Sequence, residues 1–223
     1  IMSKMSVNYR GEERTLQQLG VFLKDNDRSV REEVFRLSAD RLLEDADRLD
    51  ELFDKLKEVR IAEAKNAGFD NYRDYIHQKK GRFSYSVNDL YEFHNAVEKV
   101  VVPFIHEFNE IRKEKLGIDT LRPWDTAVEL DGKTLKPFEK IDVFVDKSIE
   151  VLSEVDHSFG IELNKMKNSG FLDLDNRKGK APGGYCYPLA EHNSSFIFMN
   201  AVGLHDDLVT MVHESGHTMH NLE

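Results

Sequence analysis

The 223 residues carry a formal net charge of −10, and 40% of them are hydrophobic, enough apolar material for one large domain or two small ones. The acidity argues against a nucleic-acid footprint, which needs a basic patch, and no apolar run reaches the 18 residues of a membrane-spanning helix. The start, Ile1-Met2-Ser3-Lys4-Met5, holds no apolar signal core. Cys186 is the single cysteine, so no internal disulfide can form, which fits a reducing, cytoplasmic setting. A chain beginning at Ile1 suggests a natural N-terminus further upstream.

In chain order, Ser29 with Glu32 reads as a capping box. No proline or glycine follows until Gly68, which predicts one long helix to Ala67. Leu42, Ala46, Leu49, Phe53 and Leu56 step by four and three, a seam that would pack on another helix. Glu44, Asp45, Arg48 and Glu51 form its solvated face. Ser86 with Asp89 predicts a second helix start, and Leu90, Phe93, Val97 and Val101 carry that helix on to about Lys115. Pro103 must kink or divide it, and Gly117 ends it. The segment Leu121-Arg122-Pro123-Trp124-Asp125 reads as a turn with Trp124 as a packing anchor. Residues 137–156 predict a third long helix with Ile141, Phe144, Val145, Ile149 and Leu152 on its apolar face. A shorter one follows over 158–168.

The texture then changes. Residues 170–204 hold five of the thirteen glycines, and Tyr185-Cys186-Tyr187 and Phe196-Ile197-Phe198-Met199 read as short strands. Two strands are not stable alone and would pack on the helices. Two readings of this element stay open: an exposed edge that holds an extended peptide by main-chain hydrogen bonds, or a structural ribbon. The expected architecture is mainly α, an elongated helical body over 1–169, with a small β-element over 170–204 beside a final motif helix over 205–223.

That final helix carries His213-Glu214-Ser215-Gly216-His217, within an apolar set (Leu208, Met211, Val212, Met219) at helical spacing. Residues four apart share a helix face, so His213 and His217 can point two imidazoles at one metal ion. Glu214 lies beside that face, within reach of water on the metal. This is the H-E-x-x-H pattern of zinc peptidases: two metal ligands, His213 and His217, and one catalytic base, Glu214, around one zinc ion. The bland alternative is a helix with ordinary surface or hydrogen-bonded histidines. A catalytic zinc usually takes a third protein ligand. One class places it six residues after the second histidine, beyond a helix-breaking glycine. Here those positions are Glu223 and His220, so the helix would not turn and Glu223 would point away. The other class takes a glutamate from a later helix, which would lie beyond Glu223. His220 reads as structural, His205 as a loop histidine, and Glu191 with His192 as residues that could orient a ligand.

Several stretches together carry a resemblance. They are Tyr9-Arg10-Gly11, Asn66-Ala67-Gly68-Phe69-Asp70-Asn71-Tyr72-Arg73-Asp74-Tyr75, Leu121-Arg122-Pro123-Trp124-Asp125, Gly179-Lys180-Ala181-Pro182-Gly183-Gly184-Tyr185-Cys186, Phe196-Ile197-Phe198-Met199-Asn200 and the histidine motif with His220 behind it. In their order and combination the chain resembles the oligoendopeptidase F family of zinc peptidases, relatives of thimet oligopeptidase, over nearly its whole length. The resemblance implies a largely helical, two-lobed body with a deep channel and a small sheet beside one zinc ion. It implies short, unstructured peptides as substrates and partners, because a narrow channel excludes folded proteins, and neither nucleic acid nor membrane. It also implies that the third ligand, a glutamate, and the histidine and tyrosine residues that stabilise the transition state lie on later segments. The chain would then be a central piece of a longer enzyme and incomplete for activity alone. Two rivals are a helical peptide-binding or interaction module without a working metal site, and a zinc-binding but inactive structural domain.

Overall fold

The structure, a computed structural model, describes residues 1–222 and is mainly α-helical. It divides into two compact units, residues 1–42 together with those from Pro123 onward, and residues 43–122.

The first unit opens with a hairpin, β1 (Ser6–Tyr9) and β2 (Glu12–Thr15). Arg10 and Gly11 turn it with φ of 54° and 81°, the double left-handed geometry that matches strand twist in a two-residue loop. Thr15 and Gln18 cap α1 (Leu16–Gly20) reciprocally. Helix α2 spans Arg28–Leu43, two residues earlier than the Ser29 capping box predicts. Asp27 is the cap instead: its Oδ1 accepts from the Ser29 backbone N–H at 2.9 Å and from Ser29 Oγ at 2.7 Å. Glu32 is turned along the helix to Arg36, at 2.9 and 2.7 Å.

The predicted single helix to Ala67 is two helices, α2 and α3 (Ala46–Asn66), and the break falls where the two units divide. Asp45 sits in it with φ −107° and ψ 12°. No glycine or proline marks the position, and aspartate is a residue that favours helix starts over interiors. The expected seam is largely open: Phe53 is 64% and Leu56 44% exposed. Contacts gather instead at the other end of α3, where Glu63 takes the Tyr75 hydroxyl at 2.9 Å and Lys79 at 2.7 Å from α4 (Tyr72–Lys79). Helix α5 (Val87–Ala96) starts with the reciprocal Ser86–Asp89 cap, as expected. Pro103 takes the form of a division. A π-helical stretch, Val97–Val101, separates α5 from α6 (Val102–Leu116), and Pro103 sits in the first turn of α6. The wider turn absorbs the missing N–H and the ring that a regular helix could not. Gly117 closes α6 at φ 64°.

Back in the first unit, Trp124 is buried between the Phe35 ring, 5.6 Å away, and the Arg36 guanidinium at 5.1 Å. Beside it Asp125 is wholly buried and takes a two-pronged bond from Arg28, 2.9 and 2.8 Å, and a third from Arg31 at 3.0 Å. Arg31, itself buried, also donates to the carbonyls of Trp124, Asp25 and Asn26. These bonds fasten α2 to the segment at Pro123 across the whole of the second unit's sequence.

Helix α7 is Ile141–Val155, starting later than 137 because Phe138 leaves the helix to stack on Phe144 at 4.1 Å. Helix α8 is His157–Asn168. Three strands follow where two were expected: β3 (Leu172–Asp175), β4 (Tyr185–Leu189) and β5 (Ser194–Ala201), in the order β3-β5-β4. β3 runs parallel to β5, and β4 antiparallel. Helix α9 (His205–Leu222) packs on β4 and β5. Phe144, Leu163, Met166, Leu174, Ile197, Met199 and Met211 form one core between α7, α8, the sheet and α9.

Asp125→Ala should destabilise the protein by about 3–5 kcal/mol in urea unfolding, because it leaves the buried Arg31 charge without its carboxylate, with backbone carbonyls as its remaining acceptors. A loss below 1 kcal/mol would contradict that role.

Candidate metal centre

Asp207 fixes the entry to α9: its Oδ2 accepts from the N–H groups of Val202, Gly203 and Leu204 at 2.9, 2.9 and 2.8 Å. One side of the helix is buried through Met211, Ser215 and Thr218. Thr218 Oγ1 lies 3.4 Å from Cys186 Sγ on β4, and Asn221 Nδ2 donates to Ser195 Oγ on β5 at 3.3 Å. With that side committed to the sheet, His213, His217 and His220 are exposed on the other. His205 opens the helix rather than lying in a loop. Glu191 is exposed, and the His192 ring packs on Phe171 at 5.2 Å.

His213 and His217 come together as the spacing predicts. Their Nε2 atoms are 3.1 Å apart, with the rings nearly perpendicular at 89°. Two nitrogens each 2.0–2.1 Å from a tetrahedral zinc would sit about 3.3 Å apart, so the pair is spaced to hold one ion. The same spacing suits one N–H···N hydrogen bond between the rings. Glu214 is buried, and no side chain among the described residues donates to its carboxylate. Its backbone carbonyl accepts from Thr218 Oγ1 at 3.4 Å. Ser215 Oγ is buried with no partner among the described residues. No group of three metal-ligating side chains gathers among the described residues. Glu223, weighed above as a third ligand and set aside, lies outside them.

Lys180, quoted above only within the Gly179–Cys186 stretch, joins Asp173 and Arg177, which the sequence does not single out, to hold the loop that leads into β4. Lys180, with a side chain only 1% exposed, donates to the carbonyls of Asp173 and Asp175 at 2.9 Å each and to Asp173 Oδ1 at 3.0 Å. Its ammonium sits 4.5 Å from the centre of the Phe198 ring. Burial lowers the Lys180 pKa, against the pull of Asp173. Arg177 grips Asp173 with two bonds, 2.6 and 2.8 Å. The Arg177 hydrogen bonds, with Lys180 behind them and burial opposing, hold the Asp173 carboxyl down at about 2. A spacing of two, four and seven residues matches no familiar pattern, so this clamp had no signal in the sequence.

The model of peptidase family M3 matches residues 21–223. The chain belongs to that family. It is 25% identical to the group B oligopeptidase PepB of Streptococcus agalactiae over 227 residues, which cover 96% of this chain and 35% of that protein. It is 32% identical to an oligoendopeptidase F homolog of Lactococcus lactis over 120 residues, 54% of this chain and 20% of the relative. Among solved structures, PZ peptidase A with an inhibitor superposes with a TM-score of 0.91 at 29% identity, over 97% of this chain and 39% of that one. The M3 chain therefore spans about a third of the streptococcal relative's length. Among the described residues no helix is long and apolar enough to cross a membrane.

The lowered pKa of Asp173 makes its contribution to stability depend on pH. Its contribution to stability is present above the unfolded value near 3.8 and is lost as pH falls toward about 2. Between pH 5 and pH 2.5, the stability advantage of the unaltered protein over Asp173→Asn should shrink by about 2 kcal/mol. A gap that stays constant, or widens, in urea titrations over that range would contradict it.

Proposed function

We propose that the protein is a zinc-dependent endopeptidase acting on short, unstructured peptides, with His213 and His217 as zinc ligands and Glu214 as the catalytic base. The observation that carries this is the convergence of the two Nε2 atoms at 3.1 Å on the open side of α9, with a buried carboxylate at the next position. Membership of peptidase family M3 supports the peptidase part, and the oligopeptidase names of its relatives support short substrates. A third protein ligand is expected from outside the described residues. The single cysteine fits a reducing compartment, and the cytoplasm is the proposed location.

His213 and His217 would hold the zinc, which when bound would supply Lewis acidity toward the scissile carbonyl and a water acidic enough to react near neutral pH. Glu214 takes the proton of the attacking water and delivers it to the departing amine. Burial keeps its carboxylate at one place beside the histidine face. The peptide lies extended along β4, the edge strand of the β3-β5-β4 sheet that packs beside α9. That edge is on the right flank. β4 and its loop meet α9 at Thr210 and Asn221, and Thr210 precedes His217 by seven residues, two turns and so nearly the same azimuth.

Glu214→Gln in the full-length protein should lower kcat on a fluorogenic oligopeptide by about a thousandfold, with zinc content unchanged, while His213→Ala should lose the zinc. Turnover within tenfold of the unaltered protein in Glu214→Gln would contradict the assignment. A full-length protein that holds no zinc would favour a peptide-binding module without a metal.

A further inference from the structure

We propose that Asn200 is a positioning residue that makes the edge of β4 a main-chain docking strip for an extended peptide, a deepening that rests on the peptidase reading above. Two independent lines fix which backbone groups face that edge. β4 pairs with β5 through Tyr185↔Phe198, Tyr187↔Phe196 and Pro188↔Ser195. Antiparallel partners alternate between exchanging hydrogen bonds and turning them outward. Pro188 has no N–H to exchange, so its pair is the outward kind. Tyr185 and Tyr187 then bond to β5, while Gly184, Cys186 and Pro188 face the free side.

The second line comes from Asn200 itself. Its Nδ2 donates to the carbonyls of Ala181 at 2.8 Å and Gly183 at 2.9 Å. In a planar trans peptide the carbonyl and the following N–H point opposite ways, so the Gly184 N–H points to the free edge. Asn200 thus continues the β5 ladder with its side chain beyond the point where the backbone pairing stops. Its amide is aimed by a relay. Asn176 Nδ2 donates to Asn200 Oδ1 at 2.9 Å, and Asn176 Oδ1 accepts from the buried Thr15 hydroxyl at 2.6 Å.

The two glycines suit this geometry. Gly183 has φ +102°, and a Cβ on Gly184 would come within 3.2 Å of Thr210 Cγ2 on α9. The strip runs from Gly184 to Cys186, offering an N–H and a carbonyl at each. At Pro188 a carbonyl remains, but the ring takes the donor's place, and the docking ladder ends. A ligand that fits is read by its own alternating amides rather than by its side chains.

The test measures binding, so that cleavage does not enter. In full-length Glu214→Gln protein, a fluorescent unstructured oligopeptide and its N-methylated series are titrated, with and without Asn200→Ala. N-methylation at a contacted amide should weaken binding about tenfold. Asn200→Ala should weaken the unmodified peptide about tenfold and bring the N-methyl penalty to within twofold, with zinc content unchanged. Asn200→Asp keeps the volume but sets a carboxylate against the two carbonyls, and should do the same if Asn200→Ala fails to fold. Unmodified binding within twofold in both variants, or an undiminished N-methyl penalty, would overturn the proposal. So would the absence of any N-methyl penalty in the parent protein, even where the peptidase reading stands. Cleavage of the peptide by the Glu214→Gln protein would instead count against the role of Glu214 alone.

Discussion

Burial of one side of α9 against the sheet governs the candidate site. Met211, Ser215 and Thr218 are committed to that contact, and helical geometry then leaves no choice for the residues between them. His213 and His217, four apart, must emerge together on the open side, and Glu214 must fall on the shoulder between sheet and solvent. Asp207 holds three backbone N–H groups at the helix entry, and Thr218 and Asn221 link the far end to β4 and β5. With both ends tied, the two imidazoles converge without either making a bond to another element.

The same contact explains why the sheet matters. β3 runs parallel to β5 and fills one side of it, so β4 is left as an edge. The loop entering β4 carries one unusual polar burial, Lys180 beneath Phe198, and is held from β5 by the half-buried Asn200, which donates to Ala181 and Gly183. An unpaired ammonium in that place would cost several kcal/mol. Asp173, two carbonyls and an aromatic face offset it, and the loop gains a fixed path where its glycines alone would leave it free.

Local chemistry was legible in the sequence wherever it acts locally. The Ser86–Asp89 cap, the stop at Gly117 and the histidine pair all rest on residues within four or five positions of one another. What was hidden depends on partners far along the chain. The division between α2 and α3 has no breaker residue. Asp125 is silent until Arg28 and Arg31 arrive from about a hundred residues earlier, and the Thr15–Asn176–Asn200 relay joins three separate segments. β3 is only four residues long, Leu-Asp-Leu-Asp, too short for its alternation to stand out. Ser29 with Glu32 shows the opposite failure: the pattern was present, but Asp27 and Arg36 are better placed partners for the same groups.

The central claim is that His213 and His217 hold one metal ion through their Nε2 atoms. X-ray absorption at the zinc edge of the full-length protein tests it most directly. The account predicts one zinc per chain with two imidazole nitrogens at 2.0–2.1 Å, and loss of one of them in His217→Ala. A zinc environment without imidazole, or one unchanged by that substitution, would contradict it.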